Sequence, residues 1–220
     1  MKRQRKSRLR TDRANVVGIV ETPAGLRRAA RLPPGVLDAI ELRLDAFDSV
    51  PDPSGLRVPV IATVRSPKEG GGNNLNARER ISRHLALLDR VDAVDIELAS
   101  RVEMKPALEA ARAAGRTLVL SFHDFKGTPR DLKSLQRKAA AAGADIFKIA
   151  VTPRTPGEFA ALLALLDRPP LPTSVMGMGP MGKASRIAAM ACGSVLNYGW
   201  IERPNVPGQW SAAELRGFAP

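Results

Sequence analysis

A single-domain (β/α)8 TIM barrel is the fold the sequence predicts, and three observations predict it. Eight short β-rich runs alternate with helical patterns, and no linker-like break interrupts them. At least two of those runs carry one apolar and one charged face. The chain, at 220 residues, is long enough for one sizeable core, though lean for this fold.

The β-rich runs are 16–20, 39–45, 58–65, 93–99, 117–123, 146–151, 172–178 and 195–199. In 39–45, Ile40, Leu42 and Leu44 share one face while Glu41, Arg43 and Asp45 share the other. In 93–99, Val94, Ile96 and Leu98 oppose Asp95 and Glu97. An open sheet covered by helices on both faces would read as continuous apolar runs. A barrel explains the alternation, with the apolar face against the helices and the charged face lining the interior. Buried charges need partners, so a polar interior network is expected.

Helices are expected between the runs. Ile81, Leu85 and Leu88 mark a helical face in 77–90, and Phe159, Leu162, Leu163 and Leu166 mark one in 156–167. Segment 129–142 opens with Pro129 and closes at Gly143, matching helix start and stop chemistry. Segments 101–114, 182–192 and 211–218 also read as helices. The connection at 24–37 is the least regular, because Pro33, Pro34 and Gly35 interrupt it.

Composition narrows the function classes. Hydrophobic residues make up 44% and charged residues 25%, an ordinary globular balance rather than that of a disordered chain. No stretch reaches the roughly 20 apolar residues of a membrane-spanning helix. The lone cysteine, Cys192, forms no internal disulfide, and His84 and His123 are the only histidines, so no metal cluster is expected. Net charge is +12, but the first ten residues hold six of the 34 Lys and Arg and no acid. Residues 1–13 are therefore expected to be a disordered basic arm ahead of a catalytic domain at 14–220. No apolar segment of a secretory signal follows the arm, and a cytoplasmic location is the default.

Barrel chemistry belongs at the C-terminal strand ends. Arg43, Asp45, Arg65, Glu97, His123, Lys148, Met176 and Met178 stand there, with Glu69 in the loop after Arg65. Lys148 interrupts the apolar run Ile146 to Val151. Desolvation disfavours its charged form, and a lowered pKa gives the nucleophilic amine that imine chemistry needs. The structural alternative is an interior lysine paired with Glu97 or Asp95. His123 ends the preceding strand, which would put a general base beside that amine; His84, on a helix, reads as structural. The glycine-rich segment Gly177 to Gly182 lacks the Ser or Thr that a P-loop needs after Lys183, and it lies outside a dinucleotide βαβ unit. What it retains, with Arg186 nearby, is the chemistry of an anion site.

Several ordered motifs then resemble type I 3-dehydroquinate dehydratase. They are E-x-R-x-D at Glu41, Arg43 and Asp45, T-x-R-S-x-x-E-G-G at Thr63 to Gly71, and S-x-H-D-F at Ser121 to Phe125. D-I-x-K-I-A-V follows at Asp145 to Val151, then M-x-M-x-x-x-G-x-x-S-R at Met176 to Arg186 and P-G-Q at Pro207 to Gln209. The resemblance implies a Schiff-base hydro-lyase that needs no metal or diffusible cofactor. It makes Lys148 the imine-forming lysine, His123 the general acid and base, and Glu69 the acid that orients His123. Glu41, Arg43, Arg65, Arg186, Asn205, Gln209, Met176 and Met178 become substrate-binding positions, with Arg186 on the carboxylate. Two positions depart from the pattern: Asn205 stands where a lid serine is common, and Gly18 where a serine is common on the first strand. The loop 203–209 is expected to close over the substrate.

The expected partner is 3-dehydroquinate, with a homodimer as the self-association considered, no specific nucleic acid and no membrane. Two competing readings remain at this point. Another lysine-imine barrel, such as an aldolase acting on a phosphorylated sugar, would also suit Arg186. A non-catalytic protein using its basic arm on nucleic acid is the other.

Overall fold

Eight parallel strands ring the molecule in the computed structural model, which describes residues 7–219. They are β1 (Asn15–Val20), β2 (Ala39–Arg43), β3 (Val60–Thr63), β4 (Ala93–Glu97), β5 (Thr117–Asp124), β6 (Ile146–Val151), β7 (Thr173–Gly177) and β8 (Leu196–Trp200). Each of the first six pairs with the next, and β1 also pairs with β8. The ring closes between β7 and β8 through few bonds. Val195 N–H donates to the Thr173 carbonyl (3.0 Å), Val175 N–H to Ser194 Oγ (3.0 Å), and the Ser174 hydroxyl to the Leu196 carbonyl (2.5 Å).

Seven α-helices accompany them among the described residues: α1 (Pro23–Arg31), α2 (Ala77–Leu87), α3 (Lys105–Ala113), α4 (Leu132–Ala141), α5 (Pro156–Leu163), α6 (Gly182–Ala191) and α7 (Ala212–Arg216). The irregular segment at 24–37 does hold a helix, α1. Thr22 caps it and Pro23 enters its first turn, so Pro33 lies beyond its end. Helix α4 starts three residues after Pro129, because Asp131 supplies the cap by accepting from Ser134 N–H at 2.8 Å. Between β2 and β3 a 3-10 turn (Leu44–Ala46) and a loop replace the helix that an ideal repeat would have. That omission helps keep the barrel lean.

The alternation along the strands is realised as expected. Ile40, Leu42, Val94 and Ile96 pack outward among the core residues that meet the helices. Inside, Val17, Ala39, Ile61, Ala93, Val119, Ile146 and Leu196 form an apolar floor. Above it lie Glu41, Thr63, Asp95, Ser121 and Lys148, then Arg43, Arg65, Glu97 and His123 toward the mouth.

Two expectations are corrected. On α2 the buried residues are Arg80, His84 and Leu87, while Leu85 is exposed. The helix is rotated because Arg80 reaches inward to the Val64 carbonyl (3.1 Å) and to Glu97. The second correction concerns the arm. Residues 1–6 lie outside the described residues, but 7–13 are ordered against the barrel's N-terminal end. Leu9 is buried in the apolar floor, and Arg8 binds buried Asp92 through its backbone N–H and its guanidinium, each at 3.1 Å. An apolar plug and a buried counter-charge hold what composition alone assigned to solvent.

Candidate active site

A cavity of about 210 Å³ opens at the C-terminal ends of the strands. Of the expected site residues, Glu41, Arg43, Arg65, Glu69, His123, Lys148, Met176, Met178, Arg186, Asn205 and Gln209 all line it. Two more lining residues, Glu21 and Tyr198, were not singled out from sequence. Neither belongs to a motif, and a tyrosine on an inward strand face reads as core.

Lys148 sits at the centre and is 3% exposed. Its Nζ donates to Glu41 Oε1 at 2.8 Å and to Asp95 Oδ2 at 2.9 Å, and it lies 4.0 Å from the centroid of the Tyr198 ring. The lysine is thus both paired, as the structural alternative required, and open to the cavity. Glu41 takes a second bond from the Thr63 hydroxyl at 3.0 Å. Asp95 accepts from Arg65 Nη2 (3.0 Å) and the Ser121 hydroxyl (2.6 Å). Burial opposes its charge, but Arg65 and Lys148 together hold its carboxyl well below the usual range.

His123 stands on β5, paired with β6, whose Lys148 lies opposite Ser121. Glu69 Oε2 accepts from the His123 backbone N–H at 3.0 Å and contacts its Nδ1 at 2.9 Å. That contact leaves Nε2 as the ring nitrogen available for chemistry. Burial pushes Glu69 up to about 7. Burial, with Arg65 and Lys148 nearby, pushes His123 well below its ordinary value. The imidazole is therefore neutral near neutral pH, the form that a general base must have.

Four cations line the cavity, and three are committed to carboxylates. Arg43 grips Asp45 with two bonds (3.0 and 2.8 Å) and Glu21 with a third (3.0 Å). Arg65 holds Asp95 and Glu97, and Lys148 holds Glu41 and Asp95. Arg186, on α6 and 3% exposed, has no carboxylate partner among the described residues. Its Nη1 donates to the Tyr198 carbonyl at 2.9 Å, and its Nε is buried without a partner. Burial lowers its pKa to about 10, so it remains cationic at neutral pH. A buried, unpaired guanidinium is a receptor for an anion, above all a planar carboxylate. Among the described residues no group of three or more His, Cys, Asp or Glu is arranged to hold a metal ion.

The loop 203–209 lies over the mouth. Asn205 N–H donates to Gln209 Oε1 at 2.8 Å, the Asn205 amide also bonds Glu21, and Gly179 N–H donates to the Pro207 carbonyl at 3.1 Å. Gly208, at φ +77°, lies so close to the Gly179 carbonyl that no Cβ would fit. The Asn205 departure thus has a use: its amide ties the loop to Glu21, leaving Oδ1 buried and unpaired. Gly18 faces away from the site, toward Leu37 and Ile201, so that departure leaves the cavity unchanged.

Comparison with known proteins agrees with this geometry. The family model for type I 3-dehydroquinase matches residues 19–218. The 3-dehydroquinate dehydratase of Methanothrix thermoacetophila is 38% identical over 194 residues, covering 86% of this chain and 84% of that protein. The crystal structure of 3-dehydroquinate dehydratase from Geobacillus kaustophilus is 29% identical, with a TM-score of 0.80 over 92% of this chain and 88% of that one. The type I enzyme from Clostridium difficile shares the fold, with a TM-score of 0.84 at 24% identity over 99% and 97% of the two chains. No helix among the described residues is long and apolar enough to cross a membrane. The chain belongs to the type I 3-dehydroquinase family, whose members named above are hydro-lyases.

Proposed function

We propose that this enzyme converts 3-dehydroquinate to 3-dehydroshikimate and water through a Schiff base on Lys148. The observation that carries the reading is Lys148 Nζ, buried in the cavity between two carboxylates, with the His123–Glu69 pair lining the same space. Attack requires the free amine, and Glu41, in contact with Nζ at 2.8 Å, is the carboxylate that takes its proton, while Asp95 stays ionised beside Arg65. Nζ adds to the C3 ketone, and loss of water from the carbinolamine gives an iminium. The iminium draws electrons from C2, and neutral His123 removes a C2 proton. The resulting enamine expels the C1 hydroxyl, which leaves as water with the proton from His123. Hydrolysis of the conjugated imine then frees Lys148 and the product.

Arg186 takes the substrate carboxylate, since it is the lining cation that has none. Arg43, Arg65 and Glu41 are placed to bond ring hydroxyls, Met176 and Met178 provide an apolar wall, and the loop with Asn205 and Gln209 excludes water from the imine. A cytoplasmic enzyme is part of the same reading, in keeping with its biosynthetic relatives. A homodimer is too, to be checked by sedimentation. The test is mass spectrometry after borohydride reduction in the presence of 3-dehydroquinate. An adduct on the peptide containing Lys148 is expected, and an adduct on another lysine, or none with active enzyme, would refute the assignment.

A further inference from the structure

Tyr198 carries an unused polar group at the reacting centre. It is the chain's only tyrosine, sits on β8, and is 2% exposed. Its hydroxyl is fully buried and has no hydrogen-bond partner among the described residues. Its ring faces Lys148 Nζ at 4.0 Å, and the residue lines the cavity. Leaving a buried hydroxyl unpaired is unfavourable, whereas a phenylalanine would fill the same space without that penalty. The polar groups around Nζ do not supply that partner: Glu41, Asp95, Arg65 and Ser121 are bonded to one another or to Lys148.

The phenol ring meets the cavity's reactive nitrogen directly, and its hydroxyl is carried on that same ring. Lys148 and Tyr198 line the same cavity, so a substrate joined to Nζ lies beside the phenol. The phenol also stays protonated, since burial, with Glu41 and Asp95 adding to it, raises its pKa well above the ordinary value. It can therefore donate as well as accept.

We propose that Tyr198 is a further substrate-contacting residue, whose hydroxyl gains its hydrogen bond from a ring hydroxyl of the substrate held next to the imine carbon. The ring then serves as the platform under the imine nitrogen. An iminium formed from a ketone has one N–H, so it keeps at most one of the two carboxylate bonds of the ammonium, while the ring face continues to favour the positive charge. This inference rests on Lys148 being the imine-forming residue.

The test is Tyr198→Phe, which deletes only the hydroxyl. KM for 3-dehydroquinate is expected to rise about 5- to 50-fold, the effect of one lost hydrogen bond to a buried group, with kcat changed less. Thermal stability of the free enzyme should be unchanged or raised, since no bond in the free protein is lost. Substrate analogues lacking one ring hydroxyl identify the partner: for one of them wild type and variant should bind equally. Unchanged KM, an equal penalty for every analogue, or lowered stability with unchanged KM would each overturn the proposal. Should the variant not fold, the wild type still decides. The Raman doublet of the single tyrosine reports whether its phenol is hydrogen-bonded, and it should change when the adduct is trapped with borohydride. An unchanged doublet refutes the contact. Failure of trapping in wild type would instead overturn the Lys148 reading, so the two failures are distinguishable.

Discussion

Replacing Arg186 with methionine should make the free enzyme more stable while crippling its use of substrate. Among the described residues the guanidinium, which is buried, has one protein hydrogen bond and no counter-ion, and burial lowers its pKa from 12.5 to about 10. At about 1.4 kcal/mol per pH unit, holding that charge inside disfavours the folded state by about 3 kcal/mol. The folded pKa lies below the unfolded one, so the penalty is fully present at pH 7 and fades only as pH rises above 10. Methionine fills similar space without charge, and it forfeits the bond to the Tyr198 carbonyl, about 1 kcal/mol. A net gain of about 2 kcal/mol follows, or about 4–8 °C in Tm for a chain of this size. In catalysis the same change removes the partner of a buried carboxylate. That loss is about 2–5 kcal/mol, or roughly 30- to 5,000-fold in kcat/KM. The carboxylate is bound alike in ground and transition states, so most of the change should appear in KM. Urea denaturation at pH 7 and steady-state kinetics on the same preparations check both halves. A variant that unfolds at lower urea than wild type, or that keeps its KM, would refute the reasoning.

Three other perturbations have defined outcomes. His123→Ala should lower kcat by about 10²–10⁴-fold yet still give a borohydride adduct on Lys148; near-normal turnover would remove His123 from the chemistry. His84 is buried with both ring nitrogens unpaired, and burial lowers its pKa to about 4. The unfolded chain binds its proton first as pH falls, so about 3 kcal/mol of stability should be lost between pH 6.5 and 4, and a His84→Leu variant measured in parallel should show a shallower loss. Leu9→Ala should destabilise by about 2–5 kcal/mol in chemical denaturation without changing kcat; an unaltered midpoint would mean that the plug contributes nothing.

Much of the site was legible because its parts are local. Strand alternation placed Glu41, Arg43, Asp95 and Glu97 on the interior face, and a lysine within an apolar run identified Lys148 without its partners. The adjacency of His123 and Lys148 followed from strand order alone. What was not legible depends on tertiary packing. Tyr198 has the pattern of a core residue, and only its distance from Nζ and its empty hydroxyl distinguish it. Glu21 lies beyond β1, in no motif, and acquires its place through Arg43 and Asn205. The face of α2 was misread because an arginine and a histidine took positions that hydrophobic periodicity reserves for leucines. Composition likewise placed Arg8 and Leu9 in solvent, although one meets a buried aspartate and the other fills the barrel floor.

The inward turn of Arg80 belongs to a larger arrangement. From Lys148 the contacts run to Asp95, to Arg65, to Glu97 and to Arg80, alternating in sign across the barrel wall. Buried ion pairs seldom repay their desolvation when set against apolar packing, so stability is a poor explanation for such a chain. Position is a better one. Each member has at least two neighbours, and the planar guanidinium of Arg65 divides its donors among Asp95, Glu97 and Ser121. Asp95 is thereby fixed against Lys148, whose side chain is held at the lining of the cavity. Arg80 satisfies the outer oxygen of Glu97 and links the arrangement to Glu103 at the surface (3.1 Å). With these charges mutually neutralised, the cavity keeps one uncommitted positive group, Arg186. On the proposed reaction, an anionic substrate's carboxylate is directed to Arg186 while its ketone meets Lys148, both residues lining the one cavity.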